Sequence, residues 1–234
     1  MALIPISIAN SLLAALPAKE FQKLVPNLDP VTLEFGVTMY EPGDMIKHVY
    51  FPTDSLISLL TLVEGHLALE VGLIGREGML GVSLALGVNV SPIRALVQGS
   101  GNAWRMKAAH FLKALKDSAP LQKEIFRYAN ALMAQVTQTA ACNRFHVVEA
   151  RLARWLLMTR DRVRSDEFRL TQEFLAHMLG VRRVGVTKAA CELKRQKLIT
   201  YSRGNIKILD RRNLEAASCT CYQIIKDMHD DHRN

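Results

Sequence analysis

The stretch LTQEFLAHMLGVRRVGVTKAACELKRQKLI, Leu170 to Ile199, restricts the fold more than any other part of the chain. It holds two short amphipathic helical patterns that meet at a glycine. Thr171 is placed to cap the first, and Glu173 in its first turn suits the positive end of a helix. Leu175, Ala176 and Leu179 supply an apolar stripe. Gly180 offers the left-handed conformation that ends a helix tightly. Val186, Ala189, Ala190 and Leu193 give the second helix an inner face, and the small side chain of Ala176 permits a close crossing. This is the spacing of a helix-turn-helix.

The outward residues of the second helix's first turns are Arg182, Arg183, Val184, Thr187 and Lys188. A helix fits the major groove of DNA, and the residues at its N-terminal end reach base edges and phosphates. Two strand-like runs follow, Leu198 to Ser202 and Asn205 to Leu209, around Arg203-Gly204, a two-residue hairpin signal. Such a hairpin beside a recognition helix would bring Arg203 and Lys207 to the phosphate backbone. Charge agrees with this. Residues 1–110 hold 7 Lys+Arg against 9 Asp+Glu, and residues 111–234 hold 23 against 13, so a net of −2 faces a net of +10. One half is built to meet a polyanion and the other is not.

Before that half, from about Leu33 to Met106, short β-like runs alternate with turns. Pro42-Gly43-Asp44 separates two of them, and SLISLLTLV, HLALEVGLIG, IRALVQGSG and NAWRMK continue the series. The pattern predicts a compact β-sandwich or roll. The period changes at Lys107. Leu121, Ile125, Tyr128 and Leu132 are spaced as a heptad stripe, which continues to Gln135 and Thr139 on a helix reaching about Cys142. A single stripe could close against the β-rich half or against a second copy of the chain, and we assign it to the second copy. In the next helix Val148, Leu152, Trp155, Leu156 and Thr159 share a face, with arginines opposite, before RSDEF breaks the pattern. The expected divisions are a sensory domain over 1–118, a dimerisation helix over 119–143 and a winged helix-turn-helix over 144–234.

These residues together resemble the Crp/Fnr family of bacterial transcription regulators, over roughly Phe21 to Tyr222. The resemblance implies an α+β chain: a cyclic-nucleotide-binding-like β-roll, a long dimerisation helix and a C-terminal winged helix-turn-helix on a palindromic operator. It puts Arg183 at the family's leading base-reading arginine and Lys188 at its second basic contact. Val184 falls where many members carry a base-reading glutamate, which argues against a cyclic-AMP-receptor type of operator. Thr171, Arg203 and Lys207 complete the expected DNA contacts. A homodimer and RNA polymerase are the expected protein partners.

The same resemblance marks Gly78, Met79, Leu80, Gly81, Val82, Arg94 and Ala95 as effector-pocket candidates. Gly81 fits the family's glycine, but Val82 stands where a ribose-binding glutamate belongs, and valine accepts no hydrogen bond. Arg94 is displaced by one position, which on a strand turns a side chain to the opposite face. Aligning Glu77 instead lengthens the spacing to Arg94. Control by a ligand other than cyclic AMP, or by none, is therefore expected. No cysteine precedes Cys142, which argues against the family's iron–sulfur branch. His48, His66 and His110 could serve as haem ligands but read as ordinary histidines.

Cys219 and Cys221 could bind a metal with outside ligands or form a redox pair, yet only His229 and His232 are near in sequence, so they read as ordinary buried thiols with no metal expected. Without a basic n-region, and with Pro5 and Asn10 inside the apolar N-terminal run, that run reads as a short packed helix around Ser11 to Leu16 rather than a leader. The cysteines then read as reduced thiols of a cytoplasmic protein. No phosphate loop, nucleophile elbow or paired metal motif marks an enzyme. The competing reading is a ligand-binding or protein-interaction module without sequence-specific DNA binding.

Overall fold

The computed structural model describes residues 9–62 and 68–230, and the side chains of all but 229 and 230. His66 and His232 therefore lie outside the described residues, as does the side chain of His229. The chain begins with α1 (Ser11–Ala14) and α2 (Ala18–Leu24), then β1 (Asp29–Leu33), β2 (Thr38–Tyr40), β3 (His48–Pro52), β4 (Leu56–Thr61), β5 (Leu69–Ile74), β6 (Arg94–Gly99) and β7 (Gly101–Lys107). Two sheets result, in the orders β1-β7-β3, antiparallel throughout, and β2-β6-β4-β5. The sequence pattern misses β1, which opens on Asp29-Pro30. Pro30 is tolerated there because β1 is an edge strand, paired on one side only, with β7. The Pro42-Gly43-Asp44 turn forms where it is expected, with Gly43 at φ +91°.

The helices continue as α3 (Ala108–Asp117), α4 (Ala119–Phe145) and α5 (Val148–Val163). At 1.5 Å per residue α4 is about 40 Å long. Then come β8 (Glu167–Arg169), α6 (Gln172–Leu179), α7 (Arg183–Arg195), β9 (Ile199–Ser202), β10 (Asn205–Ile208), α8 (Arg211–Ala217) and α9 (Cys221–Asp230). Two compact units emerge, one of residues up to 57 and 74–130, the other of 58–73 and from 131 onward.

In the first unit the core gathers Leu13, Phe51, Met79, Val97, Met106 and Phe111. In the second, Trp155 lies at the centre of a buried polar network. Its indole donates to Glu70 at 2.8 Å, and Ser58 donates to the other Glu70 oxygen at 2.8 Å. Burial pushes the Glu70 carboxyl up to about 7, against the opposing pull of those two hydrogen bonds and of Arg154 and Arg162. Arg162 in turn donates to Gln135 at 3.0 Å, and Gln135 to the Leu73 carbonyl at 3.0 Å.

The apolar face of α5 is not its only buried one: the arginines placed opposite it, Arg151, Arg154 and Arg162, are buried too. Each finds acceptors inside, such as the Leu179 carbonyl for Arg151 and Thr139 for Arg154, so burial leaves the charges bonded rather than bare. The expectation corrected here concerns the stripe on α4. Leu121, Ile125, Tyr128 and Leu132 are buried within their own chain, Ile125 completely. Tyr128 donates to the Met79 carbonyl at 3.1 Å, and Leu132 packs near Gly72. Side chains already covered by their own chain offer no seam to a second copy.

Candidate nucleic-acid interface

The helix-turn-helix is set by three local devices. Thr171 caps α6, its hydroxyl oxygen accepting from the Phe174 amide at 3.1 Å. Gly180 ends α6 in the left-handed region at φ +59°, and the Val181 amide returns to the Ala176 carbonyl at 3.0 Å. A methyl group on Gly180 would also sit 2.5 Å from the Leu69 side chain. Val186, Ala189, Ala190 and Leu193 are buried on α7, facing inward with Leu175, Ala176 and Leu179 of α6. The Thr187 hydroxyl shares its one proton between two acceptors, Gln172 Oε1 at 2.8 Å and the Arg183 carbonyl at 3.0 Å, the first of which ties α7 to the start of α6.

What remains outward is Arg182, Arg183, Val184 and Lys188, all exposed, with Val184 64% accessible. Arg182 is the N-cap residue of α7 but makes no side-chain cap, and no acidic residue stands in the first turn. The amide end of a helix carries partial positive charge, so a cation there is unfavourable by about 0.3–1 kcal/mol. Two arginines are placed at that end with no internal anion to offset them among the described residues.

The hairpin is a three-stranded sheet in the order β8-β10-β9. Arg203 and Gly204 turn it with φ +49° and +82°, between the paired Ser202 and Asn205. Strand β8 lies within the segment read from sequence as a break. Its ladder partner β10 comes well over thirty residues later, so no local pattern announces it. Arg203 is exposed at the tip. Lys207 is exposed too, but its amine meets Glu167 of β8 at 2.7 Å. Arg169, exposed on β8 opposite Asn205, is a further cation that the sequence reading passes over. The signal available for it was a basic residue two positions before a capping threonine.

The effector candidates present a different picture. Gly78, Met79, Leu80 and Gly81 are buried, and much of their backbone is already committed. Asn10 donates to the Gly78 carbonyl at 2.9 Å, and Leu80 exchanges both backbone hydrogen bonds with Tyr50, at 2.8 and 3.1 Å. A methyl group at Gly78 would run into the Tyr128 ring. Ala95 is fully buried, while half-exposed Arg94 binds Glu41 at 2.8 Å. Val82 begins a short 3-10 turn whose N-cap is Gly81, at φ +94°. Of the histidines named above, His48 is half-buried on β3 and His110 is exposed on α3.

Cys219 and Cys221 are buried, and they do not stand alone. Cys142 of α4 and His146, just past its end, lie beside them, with all four donor atoms within 4.8 Å of one another. The neighbours of Cys219 and Cys221 are thus not His229 and His232, near in sequence, but residues at the C-terminal end of α4 and just beyond it. A thiol hydrogen bond with Cys142 holds the Cys219 thiol down to about 5, against desolvation.

Residues 150–217 match the family model of the Crp-like helix-turn-helix domain. The fold of the chain is that of solved Crp/Fnr-type structures. A crp/fnr family regulator structure from Eubacterium rectale ATCC 33656 aligns with TM-score 0.68 at 18% identity, covering 89% of this chain and 98% of that one. FixK2 from Bradyrhizobium japonicum gives 0.70 at 12% identity, covering 82% and 98%. The c-di-GMP-responsive global regulator CLP of Xanthomonas campestris gives 0.67 at 14% identity, covering 83% and 100%. No curated protein matches the chain. No helix among the described residues is long and apolar enough to cross a membrane.

Proposed function

We propose that this chain, with its Crp-like helix-turn-helix and Crp/Fnr-type fold, is a dimeric, sequence-specific DNA-binding transcription regulator and not an enzyme. The observation that carries the reading is the N-terminal end of α7. Arg182 and Arg183 stand exposed at the positive end of a helix, without an acidic residue in its first turn. A DNA backbone supplies the missing anion, and a helix N-terminus is itself a phosphate site. Arg183 then reads a base edge in the major groove, with Val184, Thr187 and Lys188 along the same groove. Thr171 and Arg203 meet phosphates from the flanks, joined by Arg169, while Lys207, held by Glu167, adds the least.

The dimer seam moves to the other face of α4. Lys123, Phe126, Asn130, Met133, Thr137 and Ala140 follow one another at steps of 3 and 4, and all are exposed. Phe126 is 48% and Met133 64% accessible, which is costly for large apolar side chains left in water. Two-fold pairing there would present two copies of α7 to successive major grooves, about 34 Å apart. Small-ligand control, where it operates, runs through a compound other than cyclic AMP, because Val82 carries no acceptor and Arg94 is engaged by Glu41. RNA polymerase is the partner such a regulator would address, in the cytoplasm.

The test is selection of bound fragments from random DNA, followed by binding at several salt concentrations. A recovered palindrome, bound with a steep salt dependence, supports the reading. Failure to enrich any sequence would leave the module without sequence-specific DNA binding.

A further inference from the structure

We propose that Cys142, His146, Cys219 and Cys221 form a four-ligand Zn2+ site that fastens the C-terminal helix to α4. The four donor atoms come from two places in the sequence. Cys142 lies in the last turn of α4 and His146 directly follows its end, where the His146 amide still bonds the Cys142 carbonyl at 3.1 Å, which keeps the two residues one turn apart. Cys219 and Cys221 alternate across the junction between α8 and α9. The Cys142 and Cys219 sulfurs are 3.4 Å apart, and the Cys221 sulfur is 3.5 Å from His146 Nδ1. With Zn–S at about 2.3 Å and Zn–N at about 2.0 Å, a tetrahedral site requires donor separations of about 3.5–3.8 Å. Small side-chain rotations therefore suffice to close four ligands on one ion.

Three further observations fit the same ion. Three thiolates and one neutral imidazole are a donor set that zinc prefers, and a site with four protein ligands leaves no open position, which marks a structural metal. Gln138 donates to the Cys221 sulfur at 3.1 Å, the outer hydrogen bond that fixes a metal-bound thiolate. Such a site carries a net charge of −1, and a buried guanidinium lies one turn of α5 beyond Ala150, which packs on the cluster. This is Arg154, 3% exposed, whose Nε has no hydrogen-bond partner among the described residues. A Cys142–Cys219 disulfide is the competing chemistry. It would use two of the four donors and leave the convergence of Cys221 and His146 unexplained. On zinc binding the three thiols lose their protons to solvent and no electrons move.

Cobalt(II) is the probe, since it takes the zinc geometry and reports thiolate ligands by colour. The full-length reduced chain, stripped with chelator, should take up one Co2+ per chain. A thiolate-to-cobalt charge-transfer band and intense visible bands should appear, and equimolar Zn2+ should abolish both. Cys191→Ser, which removes the exposed cysteine outside the cluster, should titrate like the parent. Cys142→Ser and His146→Ala should lower the affinity at least tenfold. Should either variant fail to fold, Cys221→His keeps four ligands, and its cobalt bands should shift as one sulfur is replaced by nitrogen. The proposal is overturned if the reduced parent chain shows no charge-transfer band, or if Cys221→His leaves the spectrum unchanged. Recovery of a Cys142–Cys219 disulfide, with no metal uptake after reduction, would also overturn it. None of these readouts involves DNA, so the outcome is independent of the regulator reading.

Discussion

The segment Gly78–Val82 and the N-terminal end of α7 are both short, glycine-led stretches that the sequence marks as binding elements, and they end in opposite states. In the first, the chain consumes its own polar groups: Asn10, Tyr50 and Tyr128 bond the carbonyls of Gly78, Leu80 and Met79. In the second, the cations are held out and left without an anion among the described residues. A site is recognisable by what it leaves unsatisfied, since buried polar groups that already have partners have little to offer a ligand. The two faces of α4 repeat the contrast, with Ile125 fully buried and Met133 mostly in solvent.

The sharpest way to break the comparison is to spoil an open face and look for an effect that a closed face would not give. Phe126→Asp combined with Met133→Asp puts two like charges per chain into the proposed seam. Light scattering should show a monomer, and operator affinity should fall by more than a hundredfold, while circular dichroism stays that of the parent. A dimer that survives would place the seam elsewhere. On the closed side, Gly78→Ala drives a methyl into the Tyr128 ring. Overpacking of this kind costs about 1–3 kcal/mol, read as a lower midpoint in urea, with specific DNA contacts retained in the folded fraction. An unchanged midpoint would mean that the segment is loose enough to admit a ligand.

The periodicity of α4 was legible in sequence, but its partner was not. A stripe at heptad spacing says that a face is buried, and says nothing about whose atoms cover it. Leu121 to Leu132 turned inward because the chain supplied Gly78 and Gly72 as close neighbours. The helix-turn-helix was legible because Thr171, Gly180 and Arg203-Gly204 are each set by their own local backbone. Strand β8 and the Cys142–Cys219 approach were not, since each joins residues remote in sequence. One local hint did exist: Cys142 and His146 stand at the four-residue spacing that brings two ligands together at a helix end. The burial of the α5 arginines was not legible either, because their acceptors come from α4, α6 and the same helix.

Two smaller effects sharpen the account further. Glu70, the buried acid of the network around Trp155, is pushed up to about 7 in the folded chain from an ordinary value of 4.5. Between those values the folded state binds its proton and the unfolded state does not. Stability is therefore highest below about pH 4.5, falls by up to about 3 kcal/mol as pH rises, and levels off above about 7, as far as this group is concerned. Glu70→Gln should flatten that part of the pH profile and raise the melting temperature at pH 8. A profile as steep as the parent's would show that Glu70 ionises freely when buried. Smallest of all is Lys207→Ala. Because Glu167 already holds that amine, the loss in DNA binding should be slight and equal on all sequences, whereas Arg203→Ala should reduce the salt slope by about one. A larger loss for Lys207 than for Arg203 would mean that the pair opens on DNA.

The central claim is that the exposed end of α7 reads sequence, and Arg183→Ala tests it most directly. Affinity of this variant and of the parent is measured on the selected operator and on scrambled DNA, at several salt concentrations. The account predicts a loss of about 1–3 kcal/mol on the operator, relaxed preference at one base pair in each half-site, and little change on scrambled DNA. Equal losses on both would reduce Arg183 to a phosphate contact. No loss on either would remove α7 from the groove and contradict the account.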